Sequence, residues 1–321
     1  MDTDSKVLHP PVGGAPVRFR ATDGYELGGF LWHNAQEDPE RPVLIVSAAT
    51  SVRCRYYARF ALYMSQHGFD VLTYDYRGIG ESRPGQLKGF EADWVDWGEQ
   101  DLEGALQYVG HILPGRPLRV IGHSIGGFAI GLAPSNRRIG RILSVGSQYA
   151  YWRDYAARHK LRMLWKWHVV MPLLTRLFGY FPAKRLGWME DTPAGVVHDW
   201  SGMTARFEDR LRAGRTVAGR PEGEVLCDRF AQVEAPILAI SFSDDPHGTV
   251  PAVNRLLAYF KRSECRHMHL KPSDVGHDSI GHFAFFHDRF RDTLWPLALH
   301  WLRHGRIPPG LSSALISLPL V

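Results

Sequence analysis

Apolar positions along this chain follow two alternating patterns. Short unbroken apolar runs, PVLIVSAA (42–49), VLTY (71–74), LRVIGH (118–123), RILSV (141–145) and APILAISF (235–242), have strand length. Continuous apolar runs of that length suit central parallel strands covered on both faces. Between them lie stretches with apolar residues three and four apart: 55–69, ending at the His67-Gly68 stop signal, then 91–113, 124–133 and 250–262. That spacing predicts helices with one buried face. Near the start, VRFRATDGYELGGFLWH (17–33) alternates around Asp23-Gly24 and predicts a β-hairpin. Near the end come CRHMHLKPSD (265–274) and a helical pattern running from His282 through FAFFHDRF to His304. Strand–helix repetition of this kind predicts an α/β fold with a doubly wound, mostly parallel sheet.

The alternation is interrupted once. Residues 149–226 show no strand pattern and hold Trp152, Trp165, Trp167, Trp188 and Trp200, half of the 10 tryptophans. They read as a helical cap inserted between two late strands. This divides the chain into core residues 16–148, a cap over 149–226, and core residues 227–304. Residues 1–15, broken by Pro10 and Pro11, read as a flexible lead-in. The tail 305–321 could pack on the body or mediate self-association.

Composition narrows the classes. With 45% hydrophobic residues the 321-residue chain can bury a large core. The net charge of +5 reflects 38 Lys and Arg against 33 Asp and Glu, spread along the chain without a basic run. A nucleic-acid partner has no helix-turn-helix or zinc signature in its favour. The three cysteines include no CxxC pair, which argues against a disulfide framework or structural zinc. No secretory signal and no apolar run of spanning length is read, so integral membrane association is not expected and a cytoplasmic location is.

The chemistry centres on RVIGHSIGGFAIG (119–131). Ser124 follows a strand-like run and opens a helical one, with Gly122 and Gly126 two places to either side. A serine in this setting can sit on a tight strand-to-helix turn, exposed at the sheet's C-terminal edge. The helix N-terminus supplies free N–H groups, so Ile125 N–H could bind an oxyanion. A serine hydroxyl needs a base and the base needs an orienting acid. Asp244 or Asp245, after ILAISF, can be the acid. His277 or His282, one strand further on, can be the base.

VLTYDYRGIGES (71–82), GHSIGG (122–127), SFSDDPHGTVP (241–251) and SIGHFAFF (279–286) together resemble the α/β-hydrolase superfamily of serine hydrolases. The nearest resemblance is to bacterial α/β-hydrolases similar to monoglyceride lipases and esterases, over residues 16–304. The resemblance implies Ser124 as nucleophile, Asp245 in preference to Asp244 as acid, and His282 in preference to His277 as base. Phe242 stands where the family's acid loop usually has glycine. The family's HG-type oxyanion loop is SAATSVR (47–53) here, so the second donor falls to Thr50 or Ala49.

The reaction so implied is hydrolysis of carboxylic esters, apolar in their acyl part, through an acyl-enzyme, with no metal or organic cofactor. The same triad would serve an acyltransferase, thioesterase or lactonase, and a non-catalytic binding protein is the remaining alternative. A homodimer is left open. Asp75 and Arg77 read as braces of the sheet edge. His267 and His269 share one strand face but lack a third ligand for metal. The stretch 158–181, rich in Trp, Leu and basic residues, reads as a lid, with a dimer or membrane-surface contact as alternatives.

Overall fold

The computed structural model describes residues 14–33 and 38–318. Most of the expected lead-in, residues 1–13, lies outside them. Chain order runs β1 (Ala15–Arg20), β2 (Glu26–Trp32), β3 (Val43–Ser47), α1 (Ala58–Gln66), β4 (Asp70–Tyr74), α2 (94–112), β5 (Leu118–His123), α3 (Ile125–Leu132) and β6 (Arg141–Val145). After it come α4 (160–178), α5 (Ala194–Gly202), α6 (Glu222–Ala231), β7 (Ile237–Phe242), α7 (Val250–Leu257), β8 (Cys265–Leu270), α8 (Leu294–His304) and β9 (Leu315–Ile316).

These strands form one sheet in the order β1-β2-β4-β3-β5-β6-β7-β8-β9. The strands from β4 to β8 pair in parallel, and β1, β2 and β9 join antiparallel at the edges. Every residue of β3, β4 and β7 is buried, as unbroken apolar runs require when helices cover both faces. This is the doubly wound α/β fold that the alternation predicts.

Three local features differ from the pattern or complete it. The hairpin begins at Ala15, which pairs with Leu31. Residues 94–112 form one continuous helix, but six of them, Trp97–Leu102, are wound as a π turn. The expected helix over FAFFHDRF is two short 3-10 turns, Ala284–Phe286 and Asp288–Phe290, and α8 starts only at Leu294. Extended backbone at His287 separates the turns, which lets Phe285, Phe286 and Phe290 all reach the core. The tail packs on the body: Leu315 and Ile316 add an edge strand against Met268 and His267.

Candidate active site

The turn after β5 sets the site. Ser124 has φ 55° and ψ −122°, a conformation an L-residue adopts only under constraint, at a cost of about 1–3 kcal/mol. Packing holds it there. A Cβ on Gly122 would overlap Gly127, one on Gly126 would overlap the Ser47 carbonyl, and one on Gly127 would overlap the Ser147 hydroxyl. Ser124 N–H donates to Val145 O at 3.0 Å, fixing the turn to β6. Ile125, heading α3, presents one of the first-turn N–H groups that no helical carbonyl satisfies.

Asp245 lies three residues past β7 and is buried. Its Oδ2 meets His282 Nδ1 at 2.7 Å and its Oδ1 accepts the His247 N–H at 2.7 Å. Burial alone would raise the Asp245 pKa. The His282 ring and its hydrogen bond, with help from His247 and Gly248, outweigh it and hold the carboxyl below its ordinary value. Two glycines make room for the pair: a Cβ on Gly248 would come within 2.6 Å of Asp245 Oδ2, and one on Gly146 within 3.3 Å of His282 Nδ1.

The two neighbouring acids therefore have separate tasks. Asp244 Oδ2 accepts the N–H groups of Ile280 and Gly281 at 2.8 and 2.9 Å, stapling the loop that carries His282. His277 packs its ring on Phe290, 4.5 Å between centroids, and is not part of the cavity wall around Ser124.

Ser124, Ile125, Thr50, Ala49 and His282 line one cavity of about 160 Å³. Of the two candidate donors after β3, Ala49 N–H is already given to the Tyr57 hydroxyl at 2.9 Å. Thr50 is thus the better placed of the two. Trp94, Trp167, Trp188, Trp200 and Phe283 form much of the rest of the wall, with Gln148, Ala150, Lys166, Met189 and His247 completing it and no Asp or Glu. Trp167 and Trp200 stack at 4.7 Å, and Lys166 Nζ sits over Trp188 and Trp167 at 3.8 and 4.2 Å.

Three groups of this site escape a reading of the sequence. His247 is buried 4.9 Å from the His282 ring, centre to centre, and burial, with His282 nearby, lowers its pKa to about 3. Lys166 is brought in by the fold of residues 146–236 alone. His123 is fully buried, and burial, then His282, lowers its pKa to about 3. Its Nε2 donates to the His282 carbonyl at 2.8 Å, so Nδ1 must accept from the Tyr57 hydroxyl at 2.8 Å. A signal existed for His123: a histidine inside a buried apolar strand must find partners.

Asp75 accepts from the N–H groups of Cys54 and Glu81, joining the loops after β3 and β4. Arg77 is held by Asp101 and Asp23. Both are braces. Ser241 Oγ bonds both His267 Nε2 and His269 Nδ1, at 2.7 and 2.8 Å. Among the described residues no group of three or more His, Cys, Asp or Glu could hold a metal ion. No described helix is long and apolar enough to cross a membrane. A larger groove, about 750 Å³, lies around Tyr259 and Arg220, and ion pairs run along it, Arg206 with Glu208 and Arg220 with Asp228. It holds no strained serine; the one at Ser124 opens on the smaller cavity.

Similarity to known proteins defines the class. The fold superposes on a soluble variant of monoglyceride lipase from Saccharomyces cerevisiae, in complex with a substrate analog, with TM-score 0.63 and 15% identity over 94% of this chain and 98% of that one. The Pyrococcus furiosus esterase Pf2001 gives 0.56 and 15% over 93% and 98%. A thermostable carboxyl esterase from Bacillus coagulans, in complex with glycerol, gives 0.56 and 15% over 90% and 97%. At such identities the likeness establishes the α/β-hydrolase fold. A search of curated proteins found no match. The family model described as serine aminopeptidase, S33, matches residues 38–219, more than half of the chain. The chain belongs to that family and is an α/β-hydrolase-fold serine hydrolase.

Proposed function

We propose that the protein hydrolyses carboxylic esters with an apolar acyl or alcohol part, through a covalent acyl-enzyme on Ser124. One observation carries this reading: a serine held in strained backbone opens onto the same cavity as a histidine hydrogen-bonded to a buried, ionised aspartate. His282 takes the Ser124 proton as the hydroxyl oxygen attacks the ester carbonyl. Asp245 fixes the ring so that Nε2 faces the serine, and stabilises the imidazolium. The N–H groups of Ile125 and Thr50 bind the tetrahedral oxyanion. His282 then protonates the leaving alcohol. Water, activated by the same ring, attacks the acyl-enzyme, and Ser124 regains its proton as the acid leaves. Ser124 Oγ and His282 Nε2 are not hydrogen-bonded here; in apo enzymes such contacts tighten when substrate binds. In this reading residues 149–226 are the cap, and their indoles exclude water and receive the apolar part.

The family's description raises an aminopeptidase as the second reading. An aminopeptidase must hold a substrate ammonium, and the cavity wall offers Lys166 and no carboxylate. That favours the ester. Nitrophenyl esters of short, medium and long acyl chains, run beside aminoacyl nitroanilides, test the choice. Ester turnover that vanishes in Ser124→Ala is expected. Turnover of the anilides alone would overturn it.

A further inference from the structure

Helix α4 carries two apolar stripes. Met163, Trp167, Met171 and Thr175, each four residues apart, are buried, and Trp167 walls the cavity. Leu161, Trp165, Val169, Leu173 and Leu177, also four apart, face solvent instead, with Leu161 82% and Leu177 70% exposed. A four-residue spacing drifts by about 40° per step on an α-helix. The π turn over Trp165–Val170 has more residues per turn and takes up part of that drift. Phe178 and Leu186 extend the exposed apolar surface. A contiguous apolar face of this kind marks an interaction site.

The charge around the face says what it meets. From Arg158 to Met189 the chain has seven Lys and Arg and no Asp or Glu. Arg158, Arg162, Arg176 and Arg185 are exposed. Among the described residues, the side-chain ion pair in this stretch is Lys184 with Glu190, at 3.9 Å. A second copy packed face to face would bring these same cations together. A surface of anionic headgroups over hydrocarbon matches both the charge and the apolar stripe.

We propose that this face docks the protein on membranes bearing anionic lipids, with α4 lying in the interface plane. Trp167, on the inner face of the same helix, walls the cavity, so docking brings the cavity to the lipid. That an ester is drawn from the lipid there rests on the hydrolase reading; the docking itself does not.

The test uses full-length Ser124→Ala protein, so that no turnover intervenes. It is sedimented with phosphatidylcholine vesicles, with and without phosphatidylglycerol. Binding to the phosphatidylglycerol vesicles that weakens at high salt is expected. Leu173→Asp with Leu177→Asp, and separately Arg162→Glu with Arg176→Glu, should each lower binding about tenfold or more. In the native background neither pair should change thermal unfolding or hydrolysis of a water-soluble short ester. No binding to the anionic vesicles, or binding indifferent to both pairs, would overturn the proposal. So would a dimer in ultracentrifugation that Leu173→Asp with Leu177→Asp turns into a monomer, because a second copy would then be the occupant. Vesicle binding by a native protein that hydrolyses no ester would leave docking standing and remove the hydrolase reading.

Discussion

His123 Nε2 donates to the backbone carbonyl of His282 at 2.8 Å, tying the strand that leads into Ser124 to the loop that carries the proposed base. The Tyr57 hydroxyl continues the chain, giving its proton to His123 Nδ1 and accepting the Ala49 N–H. One run of hydrogen bonds therefore links the three loops that carry Ser124, His282 and Thr50, the proposed nucleophile, base and oxyanion donor.

Breaking this chain misplaces groups without removing any reacting atom. Tyr57→Phe keeps the ring and deletes the hydroxyl. We expect kcat to fall about 10- to 100-fold with KM little changed, because a displacement near 1 Å costs that much. Steady-state kinetics on an ester substrate would check it; a KM effect alone would speak for a packing role.

The two adjacent acids should separate on mutation. Asp245→Asn leaves the shape but removes the charge beside the His282 ring, and a loss of about 10⁴ in kcat is expected. Asp244→Asn weakens the two bonds to Ile280 and Gly281, and a loss of about tenfold is expected, with faster amide exchange in residues 276–283. Equal losses would contradict the assignment.

The turn around Ser124 should tolerate no side chain. Gly126→Ala drives a methyl into the Ser47 carbonyl and should cost about 3 kcal/mol or more in urea unfolding. Gly24→Ala, at φ +88° but with nothing within 4 Å, should cost about 1 kcal/mol.

Acid should weaken the fold through His123 and His247. Their ordinary pKa of 6.5 drops to about 3 on folding, chiefly by burial. As pH falls below about 6.5 the unfolded chain takes up these protons first, so stability declines from there toward about pH 3. Asp101 and Asp199, raised to about 7 by burial, act with the opposite sign. The readout is therefore a difference: His247→Gln should lose less stability than the native protein between about pH 7 and about pH 5 in urea titrations.

The sheet is legible in the sequence because strands buried on both faces need apolar residues at nearly every position, as in VLIVS and ILAISF. Ser124 is legible because its turn admits only glycine at 122, 126 and 127. The division of labour between Asp244 and Asp245 is not, since adjacent side chains leave the backbone in different directions and the string DD does not say which one meets His282. FAFFHDRF has helical spacing, yet its phenylalanines reach the core from two short turns broken at His287. Lys166 and His247 are invisible for another reason. Lys166 over Trp167 and Trp188, and the His247 ring against Trp167 and Trp200, come together near Ser124 in a way that depends on how residues 146–236 cross the cavity.

The central claim is that Ser124 is an activated nucleophile served by His282. Labelling with a fluorophosphonate probe, read by intact-protein mass and peptide mapping, tests it most directly. One adduct is expected, on Ser124, in the native protein, none in Ser124→Ala, and labelling slowed by several orders of magnitude in His282→Ala. A folded native protein that stays unlabelled, or an adduct at any other residue, would contradict it.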